Sequence, residues 1–160
     1  MTQPIATKSP DADVLAARIE KTRLISRGWH IQRLAGQLDR AMNAKLAPHG
    51  LTVQTFALVM MAAENDGLSQ AAISEQFSAP AYAITRSLDQ LESDGFLERR
   101  PHPTSRRTNG VHATAKTLAL VPALLDIIDE VNAALVADLE PQEAKSMLSL
   151  LERVLAKNEL

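Results

Sequence analysis

A cluster of basic side chains between residues 96 and 116 is the part of the sequence whose chemistry is easiest to interpret. Five basic residues stand against one acidic residue there, for a net charge of +4: Arg99, Arg100, Arg106, Arg107 and Lys116 against Glu98. Guanidinium groups hold phosphate oxygens through paired, charge-assisted hydrogen bonds, so the expected chemistry is recognition of a polyanion. The alternative is a solvated loop without a binding role.

The distribution of charge along the chain favours the first interpretation. The whole chain has a formal net charge of −2, which by itself argues against a nucleic-acid partner. Residues 1–51, however, sum to +4, residues 52–116 to −1 and residues 117–160 to −5. A local basic patch on a mildly acidic chain is typical of a protein that reads DNA through one small surface.

A short amphipathic helix is predicted immediately before the basic cluster, over Pro80–Ser93. Its apolar residues recur at i, i+4 and i+7 and should point into the core: Ile84, Leu88 and Leu91. Tyr82, Thr85 and Arg86 then point outward, although Tyr82 could instead pack on the preceding helix. We expect Asp89 to position Arg86 through a local ion pair rather than to read a base.

The elements around this helix follow the winged helix-turn-helix plan. The predicted order is two helices, a turn, the amphipathic helix and a small hairpin: Val53–Asn65, Gln70–Phe77, Pro80–Ser93, a strand Phe96–Arg100, a basic loop Pro101–Thr108, a turn at Asn109-Gly110 and a return strand Val111–Ala113. A helix fits the major groove, and a basic hairpin reaches the minor groove or the backbone beside it. Arg99 and Arg100 alternate along the strand, so one of them should face DNA.

Long helices flank this lobe on both sides. The predicted organisation is a flexible arm over residues 1–13, a dimerisation helix over 14–50, a DNA-binding lobe over 51–116 and dimerisation helices over 117–160. The first helix should run from Val14 to Leu46 with a possible interruption at Gly28, and Thr114 should cap a helix to about Leu139. The last should run from Pro141 to about Lys157. Because these helices carry more apolar surface than one chain of 160 residues can cover, we expect a homodimer.

Several other classes of function find no support in the sequence. Cysteine is absent, which removes disulfides and thiolate chemistry. We expect a cytoplasmic protein without a membrane segment, because the apolar runs are short and the N-terminus lacks an apolar signal core. No metal, cofactor or catalytic residue is predicted, since neither a nucleophile elbow nor a phosphate-binding glycine loop occurs and the histidines lack ligand spacing: His30, His49, His102 and His112.

Five short motifs occur in a fixed order between Leu51 and Thr117. They are Leu51-Thr52, Leu68–Gln70, Ile84–Arg86, Leu91–Arg99 and Ser105–Arg107. No single motif is specific, but the ordered set with these spacings resembles the core of the MarR family of winged helix-turn-helix transcriptional regulators. The resemblance implies a mainly α fold with a small β-hairpin wing, and a homodimer that binds a pseudopalindromic site. The DNA-contacting positions that it implies are Ser69, Gln70, Tyr82, Thr85, Arg86, Arg106 and Arg107.

Each implied contact has a physical role. The first two would meet phosphates at a helix start, the next three would face the major groove, and one wing arginine would enter the minor groove. Ser105 departs from the family pattern, because many members carry an Asp there that braces a wing arginine. Which arginine inserts therefore stays open. Thr117 stands where the family usually has Gly.

The single tryptophan suggests a second site. Trp29 lies in the first long helix beside His30 and near Arg33. It could be an anchor of the dimer interface. The resemblance implies a further hypothesis, because family effectors, often small aromatic acids, bind between the dimer helices and the lobe. Trp29, His30, Arg33 and Met60 would then line the pocket, with Arg33 paired to a carboxylate.

The sequence therefore predicts a sequence-specific regulator, a ligand-responsive repressor whose ligand shifts the two lobes out of register with the operator. An alternative is a winged-helix module that uses the same helix on another protein. Activation of transcription, or a role as the target of an antirepressor, is not separated from repression.

Overall fold

The computed structural model describes residues 10–102 and 105–156, with the side chains of residues 11–101 and 109–156. The chain divides into two compact units, Met1–Asp39 and Arg40–Leu160. This division falls inside the second helix. The domain boundaries expected from the sequence, after residues 13, 50 and 116, stay predictions.

The N-terminal region is two helices, not one. Helix α1 spans Pro10–Ile25 and helix α2 spans Arg27–Leu46. The interruption lies at Ser26 and not at Gly28, because the Ser26 hydroxyl accepts a hydrogen bond from the backbone N–H of Trp29 at 3.2 Å and so caps a new helix. The predicted start at Val14 was also wrong, since the helix begins at Pro10. The rest of the expected arm, residues 1–9, lies outside the described residues.

Helix α3, Val53–Glu64, begins as its sequence predicts. A short 3₁₀ turn, Ala47–His49, separates it from α2. Thr52 is the N-cap, and its hydroxyl accepts from the N–H of Thr55 while the Thr55 hydroxyl accepts from the N–H of Thr52 at 2.8 Å. This reciprocal capping satisfies two backbone donors that the first turn leaves free.

The next three elements form the helix-turn-helix. They are strand β1 at Leu68–Ser69, helix α4 at Gln70–Gln76 and helix α5 at Ala81–Ser93. Pro80 is the N-cap of α5 and lies just outside the helix. In the turn, Ser78 has φ +48°, a left-handed conformation that is uncommon for a residue with a side chain.

The wing is a three-stranded antiparallel sheet in the order β1-β3-β2, with β2 at Leu97–His102 and β3 at Ser105–Ala113. The predicted turn at Asn109-Gly110 was wrong, as was the predicted long loop before it. Both residues lie inside β3, where Asn109 pairs with Pro101 and Gly110 pairs with Arg100. Gly110 also pairs with Ser69 of β1, a strand that the sequence did not predict.

Glycine is required at position 110 by packing and not by a turn. A Cβ atom there would lie 2.9 Å from the carbonyl oxygen of Gly67, which is closer than van der Waals contact allows. A glycine inside a strand often marks such a close approach of another backbone segment.

Two helices complete the chain: α6, Ala115–Leu135, and α7, Pro141–Leu155. Thr114 is the N-cap of α6 as predicted, with its hydroxyl accepting from the N–H of Thr117 at 3.3 Å. Helix α6 continues through Pro122 and ends at Leu135, before the expected Leu139.

The core of the Arg40–Leu160 unit is aliphatic, as the composition predicts. Fourteen buried side chains form one cluster: Leu46, Leu51, Leu58, Val59, Ala62, Ile73, Ile84, Leu88, Leu91, Phe96, Leu97, Val111, Leu124 and Ile127. Each buried leucine or isoleucine contributes about 1.5–3 kcal/mol relative to an exposed one. Residues from α3, α4, α5 and the sheet meet here, so the core fixes α5 against the wing.

Large apolar side chains of helices α1 and α7 lie outside this core. Exposed residues include Val14, Leu15, Ile19, Leu24 and Ile25 on α1, and Leu148, Leu150, Leu151, Val154 and Leu155 on α7. Within the described part of the chain, no single helix is long and apolar enough to cross a membrane. Two consecutive helical segments with a bend between them, Arg27–His49 and Val53–Glu64, together have the length and composition of a membrane span, by these two criteria alone.

Candidate nucleic-acid interface

The outward face of helix α5 is bare, as the helical spacing predicts. Ile84 and Leu88 are almost completely buried on one side, at 1% and 2% exposure, whereas Tyr82 on the other side is 77% exposed. The alternative that Tyr82 packs on the preceding helix was therefore wrong. Tyr82 and Arg86 line an open depression of about 520 Å³ with Thr85, Asp89 and Gln90.

Arg86 is the exposed cation of this face. Among the described residues, no hydrogen bond or ion pair engages its guanidinium group. All five of its N–H donors are thus available to a ligand, and this geometry suits a guanine edge or a phosphate.

Thr85 and Gln70, two predicted contact residues, bind each other. The Gln70 side-chain amide donates to the Thr85 hydroxyl at 2.5 Å, and that hydroxyl donates in turn to the carbonyl of Ala81 at 2.8 Å. The hydroxyl proton is therefore used inside the protein. Thr85 retains a methyl group and one lone pair for an external partner, and the pair ties α4 to α5.

Ser69, the remaining residue predicted at the helix start, caps α4. Its hydroxyl accepts from the N–H of Ala72 at 3.2 Å. Ser69 is only partly exposed. Contact of Ser69 and Gln70 with phosphate stays a prediction.

Asp89 does not pair with Arg86, contrary to the prediction. Its carboxylate accepts a hydrogen bond from Arg99 Nη2 at 2.7 Å, and Arg99 Nη1 donates to Glu92 Oε2 at 2.5 Å. The reason is geometric, since strand β2 passes beside α5 and places Arg99 between the two carboxylates. Burial alone would lower the pKa of Arg99, but hydrogen bonds and charges of Asp89 and Glu92 outweigh it and raise the pKa.

Arg99 and Arg100 face opposite sides of β2, as their alternation requires. The Arg99 side chain is 20% exposed and the Arg100 side chain is 57% exposed. Arg100 forms an ion pair with Glu98 on its own strand. Of the two, only Arg100 is open to an external partner.

The side chains of the predicted wing arginines, Arg106 and Arg107, lie outside the described residues, as does that of Ser105. The backbone of all three belongs to strand β3. Their role in the minor groove stays a prediction.

A second group of contacts, which the sequence did not indicate, holds the end of α5. Side chains at the start of α6 donate to three consecutive carbonyls: Thr114 to Gly95 at 2.8 Å, Thr117 to Phe96 at 2.6 Å and Lys116 to Asp94 at 2.7 Å. Thr117 is completely buried. The threonine at this position, where the family that the sequence resembles usually has glycine, therefore has a structural role.

The predicted effector residues fall in both units. In the Met1–Asp39 unit, the guanidinium groups of Arg23 and Arg33 lie 5.8 and 5.2 Å from the Trp29 ring centre, and the His30 ring meets it edge-on. These distances permit cation–π attraction.

Met60, in the other unit, lines an open cavity of about 410 Å³ between α3 and α6. Ala63, Glu64, Leu118, Val121 and Pro122 complete its lining. A pocket combining Met60 with Trp29, His30 and Arg33 stays a prediction.

His112 has a partner of its own. Its Nδ1 lies 2.6 Å from Asp66 Oδ1, at the base of the wing. Within residues 10–102 and 105–156, no group of three or more histidine, aspartate or glutamate side chains is arranged to hold a metal ion.

The family model described as MarR family matches residues 49–108. A regulatory protein assigned to the hcr operon of Thauera aromatica is 26% identical over 130 residues, covering 79% of this chain and 77% of that protein. A mutant MarR from Escherichia coli, solved in complex with operator DNA, aligns with a TM-score of 0.74 and 25% identity. That alignment covers 84% of this chain and 96% of MarR.

A third match shares the fold at lower identity. CouR from Rhodococcus jostii RHA1, solved with bound p-coumaroyl-CoA, aligns with a TM-score of 0.71 and 21% identity over 85% of this chain and 96% of CouR.

The helix-turn-helix, the wing and the bare face of α5 define a winged helix-turn-helix protein of the DNA-binding type. Taken with these matches, they show that the chain is similar to transcriptional regulators of the MarR family over the helix-turn-helix and the wing.

Proposed function

We propose that this regulator is a ligand-responsive repressor that binds a pseudopalindromic operator as a homodimer in the cytoplasm, and that it is not an enzyme. The observation that carries the proposal is the outward face of α5. Tyr82 is 77% exposed and Arg86 is exposed and unengaged among the described residues, whereas Ile84 behind them is buried.

Helix α5 would enter the major groove with this face toward the base edges. Arg86 would donate to a guanine or a phosphate, and Tyr82 would add contact area at the groove wall. Arg106 or Arg107 would enter the neighbouring minor groove, where the negative potential favours arginine.

The homodimer is supported by apolar surface that a single chain leaves uncovered. On α7, Leu148, Leu150 and Leu155 are 59%, 55% and 76% exposed, and α1 exposes five large apolar residues. An open groove of about 520 Å³ runs along α7, lined by Leu139, Met147, Leu150, Leu151 and Val154 among others. A second copy would cover this surface and give two lobes for two half-sites.

Ligand response is supported by the aromatic and cationic cluster at Trp29, and by CouR, whose bound ligand carries an aromatic acyl group. We propose a small aromatic acid or its thioester as the effector. Its carboxylate or phosphates would meet Arg33, and its ring would meet Trp29.

The test of DNA reading uses a duplex recovered by selection from a random pool. We expect Arg86→Ala to weaken binding of that duplex by about 5- to 150-fold, because an arginine contact to a base is worth about 1–3 kcal/mol. The double change Arg106→Ala with Arg107→Ala should have a similar effect. Fluorescence anisotropy at several salt concentrations measures both.

Arg40→Ala is the matched control, because Arg40 is an exposed arginine of α2, outside the helix-turn-helix and the wing. Affinity close to the parent in both sets of variants would contradict the proposed reading surface. No duplex binding even at low salt, together with salt-insensitive binding of a protein partner, would favour the alternative of a protein-interaction module.

The effector is tested separately by calorimetry with a panel of aromatic acids and their CoA thioesters. We expect one member to bind the parent at micromolar concentration and to bind Arg33→Ala at least tenfold more weakly, since a charge-assisted hydrogen bond is lost. Binding by no member of the panel would leave the ligand response without support.

A further inference from the structure

Arg99 connects the recognition helix with the wing. Its guanidinium group donates from Nη2 to Asp89 Oδ1 at 2.7 Å and from Nη1 to Glu92 Oε2 at 2.5 Å. Its backbone N–H also donates, at 3.0 Å, to Glu92 Oε1. Three hydrogen bonds thus join one residue of β2 to one turn of α5.

The hydrogen bonds from Arg99 to Asp89 and Glu92, called the Arg99 bridge below, differ from an ordinary surface ion pair because Arg99 is largely buried. The Arg99 side chain is only 20% exposed, compared with 57% for Arg100 on the other face of the same strand. Arg100 pairs with Glu98, two residues away, and so connects nothing beyond its own strand. A planar guanidinium held by two carboxylates has little freedom to turn, which makes Arg99 a rigid connection.

The charges of the bridge work against DNA affinity. Asp89 is 60% exposed and lines the same depression as Arg86 and Tyr82, so its carboxylate lies beside the surface that would meet phosphates. Two carboxylates and one guanidinium leave a net charge of −1 there. Any contribution that this group makes to DNA binding must therefore come from position and not from attraction.

We propose that Arg99 is a positioning residue for DNA recognition. It fixes strand β2 against α5, so that the recognition helix and the hairpin meet neighbouring grooves in one fixed arrangement. The bridge thereby raises discrimination between the operator and other duplexes more than it raises general affinity. This inference rests on the proposed function, since it requires both elements to touch the same duplex.

The decisive variant is the double change Asp89→Asn with Glu92→Gln. Electrostatics alone predicts that removing two negative charges near DNA tightens binding of every duplex. A positioning role predicts the opposite sign for the operator, with about tenfold weaker binding. Affinity for a scrambled duplex of the same length should be unchanged or higher.

Substitutions at Arg99 provide the complementary measurement. Arg99→Met should weaken operator binding by about tenfold and change the scrambled duplex by less than about threefold, with an unchanged slope of log affinity against log salt. If Arg99 instead touched a phosphate, the slope would decrease by about 1. Arg99→Lys should not restore operator binding, because an ammonium group cannot form the two-carboxylate fork. Arg40→Met, at an exposed arginine of α2 outside the recognition helix and the wing, is the control for discrimination between the duplexes.

The outcomes separate three conclusions. Parental discrimination in both Arg99→Met and the carboxylate double variant overturns the inference while the proposed function stands. Equal weakening on both duplexes with a lower melting temperature also overturns it, since the role is then only structural. A parent chain that binds no duplex overturns the proposed function, and this inference with it.

Discussion

Ser74 carries a hydroxyl group whose hydrogen-bonding capacity is not satisfied among the described residues. It lies in α4, its Oγ is buried, and no hydrogen-bond partner for it exists among the described residues. Ser74→Ala removes this unsatisfied group and places a better helix former in α4. We therefore expect the free energy of unfolding in urea to rise by about 1 kcal/mol, with operator affinity unchanged.

Ser146→Ala is the control for that change. The exposed Ser146 hydroxyl donates to the carbonyl of Gln142 at 2.7 Å, so its loss should alter stability by less than about 0.5 kcal/mol. A clear loss of stability in Ser74→Ala would show that the Ser74 hydroxyl has a partner, and would contradict the argument.

At this scale, helical spacing was a good guide to which α5 residues face outward and a poor guide to their partners. The exposure of Tyr82 and Arg86 follows from their offset to Ile84 and Leu88. The partner of Asp89 lies ten residues away on another element, so only the packing of β2 against α5 determines it.

Among the elements, the start of α6 is held to the end of α5 by Thr117. Its buried hydroxyl donates to the Phe96 carbonyl at 2.6 Å. Thr117→Val preserves the shape of the side chain and removes this bond, leaving the carbonyl two longer bonds from Thr114, one from its backbone N–H and one from its hydroxyl, each at 3.1 Å. We expect the free energy of unfolding to fall by about 1–2 kcal/mol, measured by urea denaturation.

Thr117→Ser retains the hydroxyl and should be less destabilised than Thr117→Val. Equal stability of Thr117→Val and the parent would show that the bond has no net value. If the bond from Thr117 to the Phe96 carbonyl also orients α5, operator affinity should fall in Thr117→Val and recover in Thr117→Ser, under conditions where both are fully folded.

The sequence predicted most of the helices but missed strand β1, and it placed the interruption of the first helix at Gly28 instead of Ser26. Strand β1 has only two residues, Leu68 and Ser69, and forms because β3 offers it a partner. Asn109-Gly110 has the composition of a tight turn, yet both residues lie inside strand β3. Gly110 is needed there because Gly67 approaches too closely for a side chain. Tertiary contacts of this kind leave no periodic signal.

For the whole molecule, the exposed apolar side of α7 leads to a prediction about assembly. Leu151, at 40% exposure, lies on the α7 groove that a second copy would cover. Leu151→Asp would bury a charge in that interface, so we expect monomers at micromolar concentration, measured by sedimentation velocity. Operator affinity should fall at least a hundredfold, because one lobe then binds alone.

Ser149→Asp introduces the same charge at another exposed position of α7 and is the control. A dimer in Leu151→Asp would contradict the proposed interface. The excess of apolar residues in the terminal helices indicated such a surface from the sequence, but the sequence alone did not show which side chains the core of one chain would leave exposed.

The absence of a side chain at Gly110 affects how the hairpin is aligned with strand β1 and helix α4. Ser69 is both the strand partner of Gly110 and the N-cap of α4, so the backbone that pairs with β3 continues directly into α4. Sliding β3 along β1 by two residues would bring Thr108 or His112 to a place where no side chain fits beside Gly67. The lobe therefore excludes a two-residue slip of the hairpin against α4, and an alanine at position 110 would disturb this alignment while leaving every groove-facing side chain chemically intact.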